Sequence, residues 1–474
     1  MSTQPSMERL DAAPDPQAVA TALAEEPYIE WLDTARPGGF QGRYSVLAGR
    51  PSLVLTAKDD RLWVGPPGAR TETSGDPFAA LADVLLRGSV RAPDFPLPFA
   101  GGLLGYFGYD LAPWTEPVAL RALDDILVPD LYLTWHDAAI VYDHAEGAAW
   151  LVWLPGEAGE ETAAHLRQAV RAARTLTEPQ VPVRALAPGA GLTSTFTRDD
   201  YLEAITCAKE YIAAGDIYQV NLSQRFSAPL AVDGWSLYQR LRQTNPAPFA
   251  AYLRCADEVE VLSSSPERFL RLEADGFVET RPIKGTISRG ATPEEDWLLA
   301  ERLQGSEKDR AELLMIVDLE RNDVGKVCEI GSVRVPALFS LESFETVHHL
   351  VATVHGSLRK ERAPVDLLRA SFPGGSITGA PKIRSMEIID ELEPTRRAVY
   401  TGSIGYLSAH GRMDLNIAIR TFVVRGGEAL YQVGGGIVAD SDPLAEYIET
   451  LHKGRGLAAA LAEHLPAQLD ALAS

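Results

Sequence analysis

In the first part of this chain, short runs of β-branched and aromatic residues alternate with turns, and this constrains the fold more than any other feature. Tyr44–Leu47, Ser52–Ala57, Ala138–Tyr142 and Ala149–Leu154 are such runs. A turn joins antiparallel neighbours, whereas a parallel pair needs a crossover of about a dozen residues or more, so the runs predict antiparallel strands. Downstream, helices join the pattern. Thr197 is placed as an N-cap, Leu202, Ile205 and Ile212 mark one helical face, and Gly215 marks the end. Ile217–Phe226 follows as an alternating strand, with Tyr218, Val220 and Leu222 on one face and Gln219, Asn221 and Ser223 on the other. A second helix is expected from Pro293 toward Leu319 and a third from Pro381 to about Leu392. A fourth starts at Pro443, capped by Ser441 or Asp442, and runs past Lys453. Ser403–Ser408, Asn416–Val424 and Ala429–Val433 read as strands. Helices and strands mix without strict βαβ alternation, which favours an α+β class with large, mostly antiparallel sheets. The segment Thr177–Thr193, rich in Pro, Gly and Ala, reads as a linker, dividing the chain into 1–176, 177–194 and 195–465.

Composition narrows the function. Asp and Glu number 65 against 44 Lys and Arg, a formal charge of −21 on 474 residues. Such a chain repels nucleic acid and anionic membranes, so neither is expected as a partner, and an anionic substrate needs a metal or placed Arg and Lys. Cys207, Cys255 and Cys328 lie far apart with no Cys-x-x-Cys pair. That argues against a zinc knuckle or disulfide framework and suits a reducing cytoplasm. Residues 1–30 show no basic start followed by an apolar run, and no 18-residue apolar stretch occurs. Neither a signal peptide nor a transmembrane helix is expected.

Three constellations offer chemistry. The first pairs Ser265-Pro266-Glu267-Arg268 with Arg281-Pro282-Ile283-Lys284-Gly285-Thr286. A buried lysine loses its proton more readily and becomes a nucleophile, and a glutamic acid can protonate a leaving hydroxyl. A solvated turn with a Lys–Glu ion pair is the plain alternative. The second is two acidic pairs, Asp309 with Glu312 and Glu446 with Glu449, each three apart on a predicted helix. Carboxylates so placed share a face and repel, a cost that a hard cation such as Mg²⁺ offsets; two solvated acidic faces are the alternative. The third is Gly434-Gly435-Gly436, placed between a strand and the Pro443 helix, where backbone N–H groups could approach an anion or simply form a tight turn. His348 and His349, adjacent on a strand, point to opposite faces and cannot share one metal ion, so one is expected buried and one exposed.

Taken together these strings resemble the chorismate-utilising enzymes, a family that includes anthranilate, aminodeoxychorismate, isochorismate and salicylate synthases. The resemblance rests on SPERFL from Ser265, SEKDRAELLMIVDLERNDVG from Ser306, HHLVATVHG from His348, FPGGSITGAPKIRSMEIIDELEP from Phe372, YTGSIGY from Tyr400, DLNIAIRT from Asp414 and GGGIVADSDPLAEYIETLHKGR from Gly434. It is dense from Thr195 to about Ala460 and looser in 1–176, which resembles the N-terminal half of anthranilate synthase component I. It implies two large sheets packed as a sandwich with helices outside, and a chorismate site in 195–465.

By resemblance, Asp309, Glu312, Glu446 and Glu449 stand at Mg²⁺-binding positions. The metal would meet the substrate's ring carboxylate, with Asp309, shorter than the Glu of some relatives, acting through water. Tyr400, Arg420, Gly435, Gly436 and Lys453 match positions that hold the substrate's carboxylates, Thr286, His349 and Ser376 match positions lining the ring, and Glu267 matches the general acid. Gln219 stands where water-adding members carry a lysine base. An amide cannot activate water, which disfavours isochorismate and salicylate formation. Lys284 stands where anthranilate synthase typically has Ala, and points to the branch that turns chorismate and ammonia into 4-amino-4-deoxychorismate on the route to para-aminobenzoate and folate. Lys284 would attack ring carbon 2 while Glu267 protonates the departing hydroxyl at carbon 4. No cysteine here lies in a Gly-x-Cys-x-Gly elbow, so no fused amidotransferase is expected, and the resemblance implies a separate glutamine amidotransferase subunit as the source of ammonia. The rival expectations are anthranilate formation and a non-catalytic chorismate or tryptophan sensor. The stretch WLDTA…GRYSVLAG departs from the Leu-Leu-Glu-Ser run of feedback-inhibited relatives.

Overall fold

The structure is a computed structural model, and it describes residues 4–35, 41–176, 184–255, 258–343 and 347–473. Two 12-stranded sheets dominate it, and every ladder among the described strands is antiparallel. Alternation along the strands explains the layering. In the Gly102–Phe107 strand, Leu103 and Phe107 join the core that also holds Phe78 and Leu368 of the outer helices, while Leu104 and Tyr106 face residues of the other sheet. The first sheet's other face carries a large core with helices such as Arg198–Ala214, Gly234–Thr244 and Pro443–Leu461. The result is helix, sheet, sheet, helix, the sandwich that the resemblance implies.

Both sheets draw strands from either side of the 177–194 boundary. Ile29–Asp33 pairs with Phe249–Arg254 in the first sheet, and Gly102–Phe107 pairs with Ser403–Ser408 in the second. Residues 177–183 of the expected linker lie outside the described residues. The rest of it is docked rather than loose: Ala185 and Leu186 are fully buried, and both donate to Leu461 O.

Local signals account for the helix ends. Thr197 accepts from Asp200 N, and Gly215 closes the helix at φ 86°, a left-handed cap that glycine adopts without a Cβ penalty. At the fourth helix the cap is Asp442, while Ser441 turns its hydroxyl to Glu446 instead. Three sequence expectations fail. The second helix is two, Pro293–Gln304 and Glu307–Gly325, because Ser306 caps a new start. The expected Asn416–Val424 strand is broken into Met413–Asn416 and Thr421–Arg425; Arg420, at φ 51°, sits in the break. Tyr218 precedes its strand and is 75% exposed, away from the core that Val220 and Leu222 enter.

Among the described residues, no helix is long and apolar enough to cross a membrane.

Candidate active site

A cavity of about 590 Å³ opens where the strands Gln219–Pro229 and Glu428–Ile437 face the strand Ile283–Ser288, alongside the helices Glu307–Gly325 and Pro443–Leu461. That is a fitting size for a small metabolite. A smaller cavity, about 380 Å³, lies between the sheets, but its arginines are already paired: Arg43 with Asp143, Arg268 with Asp414, Arg271 with Glu273.

Lys284 reaches the larger cavity through a defect in its strand. Lys284 pairs with Leu350 and Thr286 with His349, so the register slips at Gly285, which holds φ 77°. Such a bulge re-aims the flanking side chains, and only glycine takes that conformation cheaply. A Cβ at position 285 would also lie 2.9 Å from Asp309 Cγ and Leu303 Cδ1, so the bulge seats the lysine strand against the acidic helix. Lys284 keeps part of its surface open to the cavity and is otherwise enclosed. Burial pushes its ammonium below the ordinary lysine value, against the pull of Glu312, and Lys453 adds to the fall.

Glu267 faces the same cavity from a pinned backbone. Its N–H donates to Ser265 Oγ at 3.2 Å, its carbonyl accepts from Ile417 N at 3.0 Å, and Ser265 Oγ donates to Ile417 O at 2.6 Å. Burial pushes its carboxyl up, offset in part by the Ser376 hydroxyl, Lys284, the Ile283 N–H and Arg420. Ser376 is therefore a hydrogen-bond partner of the acid as well as a wall residue. Arg420 forms no ion pair among the described residues, and burial lowers its guanidinium against the pull of Glu267. A strained φ of 51° holds it there.

The opposite wall is acidic. Asp309, Glu312, Glu446 and Glu449 all line it. Burial raises the carboxyl of Glu312; Lys284 and Lys308 oppose this, and Asp309 and Glu446 add to it. Burial pushes the Glu449 carboxyl up, but Lys453, 2.7 Å away, with Lys308 and Lys284 brings it below its ordinary value. These are hard oxygen donors in a like-charged group, and Mg²⁺ suits them chemically. As they stand, no three carboxylates among the described residues converge as a ligand set. Lys308 lies between Glu312 and Glu446, and Ser441 holds Glu446 Oε1 at 2.7 Å.

The glycine run corrects the sequence reading. Gly434–Gly436 continue the strand Glu428–Ile437 and pair with Ser223, Leu222 and Asn221, so they form neither a turn nor an anion-cradling loop. Bareness is required because a Cβ at 434 would lie 2.4 Å from Leu222 O and one at 436 2.4 Å from Gln219 Nε2. At 435 it would point at Glu446 and Lys453, so this glycine keeps the cavity floor open.

The strings compared with known proteins carry the assignment further. Residues 41–459 match the family model described as chorismate binding enzyme. The chain belongs to the chorismate-binding enzyme family. Within this family it is 45% identical to aminodeoxychorismate synthase component 1 of Salmonella typhimurium, over 92% of this chain and 94% of that protein. It is 43% identical to anthranilate synthase component 1 of Thermus thermophilus, over 92% of each. The crystal structure of anthranilate synthase component I from Streptococcus pneumoniae superposes with a TM-score of 0.77 at 33% identity, covering 88% of this chain and 93% of that one.

Of the residues singled out from sequence, Lys284, Glu267, Thr286, His349, Ser376, Tyr400, Arg420, Gly436, Lys453 and the four acidic residues line the one cavity. Gly435 adjoins it through its neighbours. Gln219 does not line it: the residue is fully buried beneath Gly436, and neither amide atom has a hydrogen-bond partner among the described residues. Both histidines are buried, against the expectation of one exposed. His348 meets Asp296 at 3.0 Å on the helix side, and His349 shares a 2.8 Å hydrogen bond with Thr286 on the cavity side. Sequence reading missed Lys308, Asn221 and Arg397. Lys308 stood in the quoted KDRAE string, and Asn221 on the strand face opposite Val220. Arg397 carried no local signal: it is a core guanidinium paired with Glu393 at 2.7 Å and stacked between Tyr109 and Tyr400.

Proposed function

We propose that this protein is the chorismate-aminating component of an aminodeoxychorismate synthase, forming 4-amino-4-deoxychorismate from chorismate and ammonia. The observation that carries the reading is Lys284: an amine that burial drives toward neutrality, aimed by a bulge into the cavity that also holds a buried acid. In this reading the neutral amine adds to ring carbon 2 of chorismate. The ring double bonds shift, and the carbon–oxygen bond at carbon 4 breaks as Glu267 delivers its proton to the departing hydroxyl. Ammonia then adds at carbon 4, the bond to Lys284 breaks, and the amine is released. The ring and enolpyruvyl carboxylates fall to Arg420, Lys453 and Tyr400. Glu312, Glu446 and Glu449, with Asp309 through water, would hold Mg²⁺, which when bound supplies positive charge to the substrate's ring carboxylate.

Ammonia comes from a separate glutamine amidotransferase subunit, a reading supported by the component 1 relatives. Three free cysteines support a cytoplasmic location. The second reading, anthranilate formation, draws on the Thermus relative at 43% identity; Lys284 speaks against it.

The test is incubation of the protein with chorismate, MgCl₂ and an ammonium salt, followed by chromatography and mass analysis. We expect 4-amino-4-deoxychorismate with the enolpyruvyl group kept. Fluorescent anthranilate as the main product would overturn the assignment, and turnover on glutamine with no partner added would overturn the two-subunit picture.

A further inference from the structure

The acidic wall already contains a cation of its own. Lys308, in the first turn of the Glu307–Gly325 helix, places its Nζ 3.9 Å from Glu312 Oε1 and 3.5 Å from Glu446 Oε1. It thus bridges two helices that are distant in sequence and both line this wall. Glu446 is oriented to receive it: Ser441 donates to the same Oε1 from the turn before the Pro443–Leu461 helix. Lys453 serves the neighbouring Glu449 at 2.7 Å and also reaches Gly434 O at 3.0 Å, so its ammonium is committed elsewhere. Among the described residues Lys308 is tethered only by these two carboxylates, and with 55% of its side chain exposed it can leave without unpacking the core. A cation between two carboxylates occupies the ground that a divalent ion would use, and the two cannot hold the same oxygens at once.

We propose that Lys308 competes with Mg²⁺ for the Glu312 and Glu446 carboxylates and thereby sets the affinity of this wall for the metal. This inference rests on the metal reading above. In its simplest consequence, metal binding expels the Lys308 ammonium toward solvent and the cavity mouth. The side chain lets the like-charged helices pack together, yet keeps the site from gripping a divalent ion tightly.

The experiment is a calorimetric titration of the full-length protein with MgCl₂, with melting temperature followed in parallel, for wild type, Lys308→Met, Lys308→Arg and Glu312→Gln. Methionine keeps the length and removes the charge. We expect it to bind Mg²⁺ about tenfold or more tightly than wild type, melt lower without metal and gain more on adding it. Arginine keeps the charge and should bind no more tightly than wild type. Glu312→Gln should bind more weakly than wild type. Saturable Mg²⁺ binding by wild type that Lys308→Met leaves unchanged or weakens would overturn the role of Lys308 and leave the metal site standing. If none of the four proteins binds Mg²⁺ saturably, the metal reading fails and this inference with it.

Discussion

The proposed mechanism needs Lys284 and Glu267 in the less common protonation state of each, the amine neutral while the acid keeps its proton. At the ordinary values of 10.5 and 4.5, both conditions would hold together in only about one molecule in a million. Burial lowers the lysine and raises the acid, and each unit by which they approach multiplies the productive population about tenfold. In that mechanism the enclosed cavity is part of the catalyst. Lys284→Ala should slow 4-amination about a hundredfold or more, and unchanged turnover would reject the covalent role. The pH profile of kcat/KM separates the two groups. It should rise, level between the two pKa values and fall on the alkaline side, where Glu267 has lost its proton faster than Lys284 gains neutrality. In Glu267→Gln the rate should drop by about 10²–10⁴ and the alkaline fall should vanish, because the amide does not titrate. An alkaline fall that persists in this variant would assign the acid elsewhere.

Between residues and the whole lie elements whose backbones do the placing. The glycine run makes two opposite predictions. Gly434→Ala drives a Cβ into Leu222 O and should cost about 1–3 kcal/mol by chemical denaturation, since backbone cannot step aside. Gly435→Ala meets only Glu446 Oε2 at 3.4 Å and Lys453 Nζ at 3.9 Å. It should melt like wild type while raising KM for chorismate; equal effects of both variants on stability would refute this division. The short helix Tyr109–Trp114 is a second case. It braces the segment carrying Arg397 and Tyr400: Tyr109 N donates to Ala398 O at 2.7 Å and Asp110 Oδ1 accepts from Ala398 N at 3.2 Å. Burial raises the Asp110 carboxyl from 3.8 to about 7, with Asp130 adding and Lys58 opposing. A folded-state value above the unfolded one means the folded protein holds this proton more tightly. Its stabilising contribution is full below about pH 4 and is lost as pH rises to about 7, on the order of a few kcal/mol. Asp110→Asn should therefore gain melting temperature relative to wild type at pH 8 compared with pH 5. The same difference at both pH values would exclude a buried titration.

For the whole molecule, the shared sheets predict inseparable halves. Removing residues 1–176 would strip partners from Phe249–Arg254 and Ser403–Ser408, leaving two long unpaired edges inside what had been continuous sheets. A fragment starting at residue 184 should express in aggregated form without a cooperative melt, and co-production of 1–176 should recover soluble, cooperatively melting protein. A soluble, sharply melting fragment on its own would show that the catalytic half folds alone. The strand runs near the start, the caps at Thr197 and Asp442, and the strings around Glu267, Lys284, Asp309 and Glu446 were all readable, because periodicity, capping and motif chemistry act over a few residues. They determined the class of fold, the family and most of the cavity's lining. Whether Gly434–Gly436 turn or continue a strand, and that both histidines are buried, depended on neighbours far along the chain. The same holds for the slip at Gly285 that aims Lys284, for Gln219 lying beneath the floor, and for Lys308 meeting Glu446 across two helices. Burial, register and ionisation are set by what packs against a residue from elsewhere in the chain, and only the tertiary structure decides that.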